Sequence, residues 1–112
     1  MAKRFSVTYH LVANGGESGQ KEIYRVEAGR TLKTESVYIA FPAGTYFELE
    51  ISIFHGINQV APSSGVYVGD NQVIEDEFIE DIPSSERFLL NYKNNNSSQT
   101  REAFVIVRGF LE

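Results

Sequence analysis

Hydrophobic and polar residues alternate strictly along residues 46–55, and this alternation predicts the strand around which the fold is organised. One parity holds Phe47, Leu49, Ile51 and Ile53, and the other holds Tyr46, Glu48, Glu50 and Ser52. Successive side chains of a strand point to opposite faces, so one face is expected to be apolar and the other polar. An apolar face of this length needs a second sheet to cover it.

Similar alternation predicts further strands on both sides of this segment. We predict them over residues 5–11, 22–27, 31–41, 66–68, 73–82, 87–93 and 102–111. No window shows the apolar spacing of three and four residues that indicates an amphipathic helix. Seven or eight short strands in 112 residues predict an all-β fold, in which residues 1–112 form a single antiparallel β-sandwich domain of the jelly-roll or immunoglobulin type.

Glycine, proline and asparagine clusters predict the connections between these strands. Residues 42–44 (Pro-Ala-Gly) predict a tight reversal that pairs the strands on either side as a hairpin. Residues 14–19 and 94–99 predict a glycine-rich hairpin loop and a polar hairpin tip, and residues 56–65 a long ordered loop. Leu32 and Val37 fall on opposite parities, which predicts a bulge between them.

The last predicted strand is apolar on both parities. Phe104, Ile106 and Phe110 share one parity, and Val105 and Val107 the other. A strand of this kind is typical of one that is covered on both faces. One face is therefore expected to lie outside the protomer's own core, which predicts a homo-oligomer or protein assembly with contacts at Phe104, Ile106 and Phe110.

Composition excludes several classes of protein. The chain has no cysteine, which rules out a disulfide frame and cysteine-ligated zinc. Its net charge of −5 works against nucleic-acid binding, which depends on neutralising phosphates. The first residues include Lys3 and Arg4, but no apolar run follows them. We therefore expect that the chain has no signal peptide, does not insert into a membrane and is made in the cytoplasm.

Three groups of residues are candidates for a metal-binding or catalytic site. The acidic run 75–81 offers oxygen ligands for a hard cation but lacks the spacing of a calcium loop, so a solvated edge strand is the simpler interpretation. His10 and His55 are interpreted as surface imidazoles. Glu48 and Glu50 share a face about 7 Å apart and are expected to pair with Lys33 or Arg108. An enzyme of the cupin or glycosidase type would need these acids beside a histidine.

The tyrosines suggest a binding module as an alternative. Tyr24, Tyr38, Tyr46 and Tyr67 lie near loops or on the outer parity, and an exposed ring can carry a sugar or a subunit contact. In this alternative the loops 14–19, 56–65 and 94–99 bind a carbohydrate or a protein partner. Tyr67 would then serve as the aromatic platform.

One stretch, Tyr24–Ile39 (YRVEAGRTLKTESVYI), resembles a pattern found in small viral and surface β-sandwiches. In that pattern a strand ends in Val-Pro-Ala-Gly-Lys-Thr-Leu and the next strand follows at once; Glu27 stands here in place of the proline. The resemblance is to capsid-associated or decoration-type jelly rolls. It implies a structural role in a symmetric assembly such as a virion, and no catalytic residues to carry over. We expect no metal and no cofactor.

Overall fold

Nine strands and no helix make up residues 2–112, the part of the chain that the computed structural model describes. The strands are β1 (Lys3–Ala13), β2 (Ser18–Arg25), β3 (Leu32–Phe41), β4 (Leu49–His55), β5 (Asn58–Ala61), β6 (Gln72–Glu77), β7 (Asp81–Ile82), β8 (Arg87–Asn94) and β9 (Arg101–Leu111). In residues 2–112 no helix is long and apolar enough to cross a lipid bilayer. The predicted all-β class is confirmed, and β7 raises the strand count to nine.

The strands form two antiparallel sheets that pack face to face. Sheet A has the order β1-β9-β3-β6, and β7 also pairs with β3; sheet B has the order β2-β8-β4-β5. The chain changes sheet after β1, β2, β3, β5, β7 and β8, so strands adjacent in sequence mostly lie in opposite layers. This is a jelly-roll arrangement, which decides between the two sandwich types that the sequence predicts.

The core lies between the two sheets and follows the predicted parity. Leu49, Ile51 and Ile53 of β4 have no exposed surface, and Val105 and Val107 face them from sheet A. Burial of such a side chain contributes about 1.5–3 kcal/mol to folding. The apolar face of β4 is thus covered by a second sheet, as its pattern predicts.

The predicted hairpin at residues 42–44 is wrong, and so is the predicted start of the central strand. β3 belongs to sheet A and β4 to sheet B, so the connection crosses the sandwich. Tyr46 and Phe47 have φ angles of 53° and 58°, and the strand begins only at Leu49. The left-handed backbone turns both aromatic rings outward, although Phe47 shares the parity of Leu49.

Other loop predictions also change. Residues 56–65 contain β5, which forms a true hairpin with β4. Residues 66–68 form no strand; Tyr67 makes one isolated bridge with Ile51. The connections at 14–17 and 95–100 close no hairpin, because each joins a strand of one sheet to a strand of the other.

The predicted bulge in β3 is confirmed between Thr34 and Ser36, where the pairing of β3 with β9 shifts by one residue. Gly109 of β9 lies against it: a Cβ atom on Gly109 would come within 2.2 Å of the Lys33 carbonyl oxygen. The bulge therefore depends on a residue without a side chain at this point of β9.

Candidate functional site

The outer face of sheet A spans strands β1, β9, β3 and β6, and residues 2–112 do not cover it with a further layer. The inward parity of β9 is buried, so the opposite parity faces out, together with its partners on β1, β3 and β6. We call the following side chains the outer face: Arg4, Ser6, Thr8, His10, Val12, Lys33, Ser36, Tyr38, Ala40, Val73, Glu75, Glu77, Glu102, Phe104, Ile106, Arg108 and Phe110.

The three predicted contact residues of β9 all lie on this outer face. Phe104, Ile106 and Phe110 are partly buried rather than covered. Cross-strand pairing places Ile106 beside Tyr38 and Phe104 beside Ala40, which makes an apolar centre. Their contact with a partner stays a prediction, but the structure does place them on the second face of the last strand.

Cationic and imidazole side chains flank the aromatic rings of the outer face. The His10 ring stacks on Phe104 at 4.4 Å between centroids, with 8° between the ring planes. The Arg108 guanidinium lies 4.8 Å from the Tyr38 ring centroid, and that of Arg4 lies 5.5 Å from the Phe110 centroid. Aromatic and arginine side chains together are the composition that protein interfaces favour.

Charge is divided between the two margins of the outer face. Arg4 lies on β1 and Arg108 on the neighbouring strand β9, and both line a depression of about 480 Å³ to which Glu35 also contributes. Glu75 and Glu77 lie on β6 at the opposite edge of sheet A. The β1 margin of the face therefore carries the cation Arg4, and the β6 margin carries two acids.

The acidic run 75–81 is spread over different environments. The Tyr38 hydroxyl donates a hydrogen bond to Glu75 at 3.3 Å, the Tyr67 hydroxyl donates one to Asp76 at 2.7 Å, and Glu80 contacts His55. Within residues 2–112 no group of three histidine or acidic side chains is placed to hold a metal ion. β6 is an edge strand, which agrees with the interpretation of the run as an edge.

Tyr67 lies in the core, so the prediction of an exposed platform there is wrong. Its side chain is 6% exposed, and its backbone bridge to Ile51 turns the ring inward. Burial, and then the hydrogen bond to Asp76, raise the pKa of the Tyr67 hydroxyl well above its usual range. Proximity to a loop suggested exposure, and no local signal in the sequence indicates the bridge.

The loop end of the sandwich, made by residues 14–17, 42–48 and 95–100, carries a second exposed aromatic group. Tyr46 is 65% exposed and Phe47 57% exposed. The Arg101 guanidinium lies 5.6 Å from the Tyr46 ring centroid and donates a hydrogen bond to Glu48 at 3.1 Å. The sequence predicts the outward position of Tyr46 but not that of Phe47, because continued alternation through the turn assigns Phe47 to the core.

The predicted partners of Glu48 and Glu50 are wrong. Glu48 pairs with Arg101 and accepts a hydrogen bond from Asn96, and Glu50 accepts one from Asn95 at 2.6 Å. Lys33 pairs instead with Glu112, 3.7 Å away, and Arg108 lies on Tyr38. Neither predicted cation is near these acids because Lys33 and Arg108 lie on the outer face of sheet A, whereas Arg101 begins β9 at the loop end, beside Glu48.

The structure places neither histidine beside Glu48 and Glu50, the acids that the hypothesis of a cupin-type or glycosidase-type enzyme combines with a histidine. His10 lies in sheet A and contacts Glu102 at 3.0 Å. His55 ends β4, five residues after Glu50, which is roughly 17 Å along a strand. Each histidine therefore has acidic partners other than Glu48 and Glu50.

His55 is held between two carboxylates rather than lying free on the surface. Its Nδ1 lies 2.7 Å from Glu80, and its Nε2 lies 2.7 Å from Glu86. Burial acts to lower the pKa of His55, but the two carboxylates outweigh it, so the pKa is raised above its usual value. This histidine links the end of β4 to the segments on either side of β7.

Two of the three loops of the predicted binding module lie together. The Gly16 amide donates to the Asn96 carbonyl at 2.7 Å, and the Asn94 side chain donates to carbonyls on both sides. The Tyr92 hydroxyl donates to Glu17, which raises the pKa of Tyr92 to about 12 and lowers that of Glu17. Residues 56–57 turn at the end of β4 that lies away from the loop end. The third predicted loop, residues 56–65, therefore begins at the opposite end of β4 from the other two loops.

Comparison with known proteins gives matches of structure and none of sequence. Neither a family model nor a curated protein matches the chain. A chain of the cyanophage Pam1 capsid asymmetric unit has a TM-score of 0.61 and 7% identity, over 97% of this chain and 85% of that one. The acid-stable capsid of Helicobacter pylori bacteriophage KHP30 has a TM-score of 0.56 and 14% identity, over 98% of this chain and 93% of that one. The structure of tomato aspermy virus has a TM-score of 0.58 and 8% identity, over 97% of this chain and 76% of that one.

These structural neighbours are viral capsid proteins with jelly-roll-like folds. The TM-scores of 0.56–0.61 show a shared fold, and at identities of 7–14% they show the fold alone. The resemblance seen at residues 24–39 therefore agrees with the fold of the whole described chain, and the family remains unassigned by sequence.

Proposed function

We propose that the chain is a non-enzymatic structural protein that assembles with copies of itself as a capsid or decoration component of a virion. The observation that carries this proposal is the likeness of almost the whole chain to three capsid structures, with TM-scores of 0.56–0.61. This support is an analogy between folds, and jelly rolls also serve lectins and cupins. The surface of the chain supplies the second line of support.

The outer face of sheet A is the surface that we assign to self-assembly. It presents Tyr38, Phe104 and Ile106 in one patch, with Arg4 and Arg108 beside them. Interface cores favour aromatic residues and arginine, and their rims are polar. A partner on this face would complete the burial of side chains that the protomer leaves half covered.

A lysine at the centre of the patch tests this assignment. In an isolated protomer the lysine of Ile106→Lys can extend to solvent along the face, so folding is expected to persist. At an interface it would bury a charge, and self-association measured by sedimentation velocity should weaken by about tenfold or more. The control is Ile57→Lys at the β4–β5 turn, because Ile57 is 92% exposed and lies outside the outer face.

Unchanged association of Ile106→Lys, with a circular dichroism spectrum like that of the unmodified chain, would reject the outer face as the assembly surface. The virion assignment needs its own test. Particles purified from the source of the gene should contain the chain by mass spectrometry, in a stoichiometric ratio to the other coat proteins. Its absence from such particles would overturn the virion role and leave self-assembly standing.

Ligand binding at the loop end is the second candidate function, and the exposed pair Tyr46 and Phe47 favours it. Exposed rings beside the polar groups of Glu48, Asn96 and Arg101 resemble the chemistry by which proteins hold sugars. A glycan array with the unmodified chain and with Tyr46→Ala tests this candidate. Hits that vanish with Tyr46→Ala would favour it, and an array without hits would remove its carbohydrate version.

A further inference from the structure

We infer that the outer face of sheet A packs against the same face of a second copy, about a two-fold axis that runs parallel to the strands between β9 and β3. The inference rests on the proposed self-assembly and adds to it the partner's orientation and the charged contacts. The strand registers and the positions of unpaired charges carry the argument.

Cross-strand pairing divides the outer face into rows that run from β1 to β6. One row contains Thr8, Ile106, Tyr38 and Glu75, and the next contains Ser6, Arg108, Ser36 and Glu77. A third row contains Arg4, Phe110, Lys33 and Asp81. The third row thus begins at the basic Arg4 and ends at Asp81, while the first two rows begin at the neutral Thr8 and Ser6 and end at Glu75 and Glu77.

A two-fold axis can lie in the plane of this face in two simple ways. An axis perpendicular to the strands lays each margin on itself, so acids meet acids along β6. An axis parallel to the strands reverses each row, so β1 of one copy meets β6 of the other. Like charges opposed across an interface are unfavourable, and complementary margins fix the register. The charge pattern therefore selects the parallel axis.

The selected axis gives the key side chains definite partners. Ile106 of one copy lies on Tyr38 of the second copy, which joins the two apolar patches. Glu77 of the second copy lies over Ser6, in the depression of about 480 Å³ that Arg4 and Arg108 line. The two-fold axis repeats every such contact, so each charged pair forms twice.

The charges that this arrangement would pair are without ionic partners in the protomer. Arg4, Arg108 and Glu77 take part in no ion pair within residues 2–112. The arginines lie instead against aromatic rings. One symmetry operation places Glu77 over Ser6, between the unpaired Arg4 and Arg108, and this proximity of unpaired opposite charges is the observation that points to a second copy.

Charge reversal with mixing of the variants tests the inference. Arg4→Glu and Glu77→Arg should each weaken self-association by about tenfold or more, because each creates two like-charge contacts per pair of copies. An equimolar mixture of the two variants should recover the association of the unmodified chain. In the mixed pair one contact is native, and the other has its charges exchanged. Lys93→Glu, on the exposed face of sheet B, is the matched control and should change little.

The outcomes separate this inference from the proposed function. If the unmodified chain stays monomeric, self-assembly itself fails. If the unmodified chain assembles while the two variants assemble equally well, or while mixing restores nothing, self-assembly stands and the two-fold arrangement is wrong. Rescue on mixing requires the two residues to meet between copies, since a contact within one chain cannot be repaired by a second chain.

Discussion

At the scale of single residues, His55 shows how geometry determines a protonation state. Carboxylate oxygens only accept hydrogen bonds, and both ring nitrogens of His55 lie 2.7 Å from one. Only the imidazolium form carries hydrogen on both nitrogens and can donate to both carboxylates, so this geometry favours the protonated ring and raises the pKa of His55. The charge is fixed by Glu80 and Glu86, which the sequence places 25 and 31 residues away from His55.

Replacement of His55 is expected to remove a pH-dependent part of the stability. The pKa of folded His55 is raised above the unfolded value of about 6.5, so its stabilisation is complete below that pH and is lost as pH rises through the folded pKa. His55→Gln should cost about 1–2 kcal/mol near pH 5.5 and less as pH increases. Urea unfolding at several pH values measures the difference.

His10 supplies the control for the His55 measurement. Its pair with Glu102 is about half exposed, so His10→Gln should change the free energy of unfolding by less than about 1 kcal/mol at each pH. A cost of His55→Gln that is constant with pH, or that grows as pH rises, would contradict the assignment of an imidazolium.

Asn94 is the polar residue on which the loop end depends. Its side chain is 2% exposed, and its amide donates to the carbonyls of Ala13, Asn14 and Gln99, while its oxygen accepts from the Asn96 amide. Asn94→Ala should cost about 2–4 kcal/mol, because several buried backbone groups lose their partner. Chemical denaturation measures this cost.

The neighbouring residue provides a matched comparison for this loss. Asn95 is exposed and hydrogen-bonds Glu50, so Asn95→Ala should cost less than about 1 kcal/mol. Equal losses of unfolding free energy in the two variants would contradict the stabilising role assigned to the buried hydrogen bonds of Asn94.

At the scale of elements, the strands with clean alternation could be predicted and their sheets could not. The parity of β1 is confirmed: Phe5, Val7 and Tyr9 pack against the core and Leu11 is buried. Alternation reports which side chains turn inward. It does not show which strand lies next to which. A connection that crosses from one sheet to the other, such as residues 42–48, is therefore predicted as a hairpin.

The sequence also misled at segments where the backbone departs from the strand. Phe47 follows the inward parity, but its left-handed φ turns the side chain outward. The sequence predicts an exposed Tyr67, whereas its bridge to Ile51 holds it in the core. β5 has only four residues between turns, too few to show alternation. Within the candidate site, the outward position of Phe104, Ile106 and Phe110 on β9 could be predicted from the sequence. The position of the acids of β6 at the edge opposite Arg4 could not, because it depends on the order of strands in the sheet.

The contact between Gly109 and the β3 bulge should be intolerant of a side chain. A Cβ atom there meets backbone of Lys33 and Thr34, which cannot rotate away. Gly109→Ala should cost about 1–3 kcal/mol by thermal or urea unfolding. In Gly19→Ala the new methyl group meets only the Tyr92 side chain, at 3.3 Å, so a smaller cost is expected. A neutral Gly109→Ala would contradict the described packing.

At the scale of the whole molecule, the jelly roll buries one face of each sheet, and residues 2–112 leave the outer face of sheet A uncovered. The inner faces form one continuous core, which accounts for folding of the protomer. The outer face combines an apolar centre with Arg4 at one margin and acids at the other, and the proposed self-assembly rests on this combination. Fold and surface thus lead to the same proposal of assembly.

The measurement that tests this account most directly is the solution mass of the unmodified chain by light scattering over a concentration series. One chain has a mass of 12.6 kDa. The account predicts a defined multiple of that mass that persists into the micromolar range and is lowered in Ile106→Lys. A mass of one chain at every concentration would contradict self-assembly and would direct attention to ligand binding at the loop end.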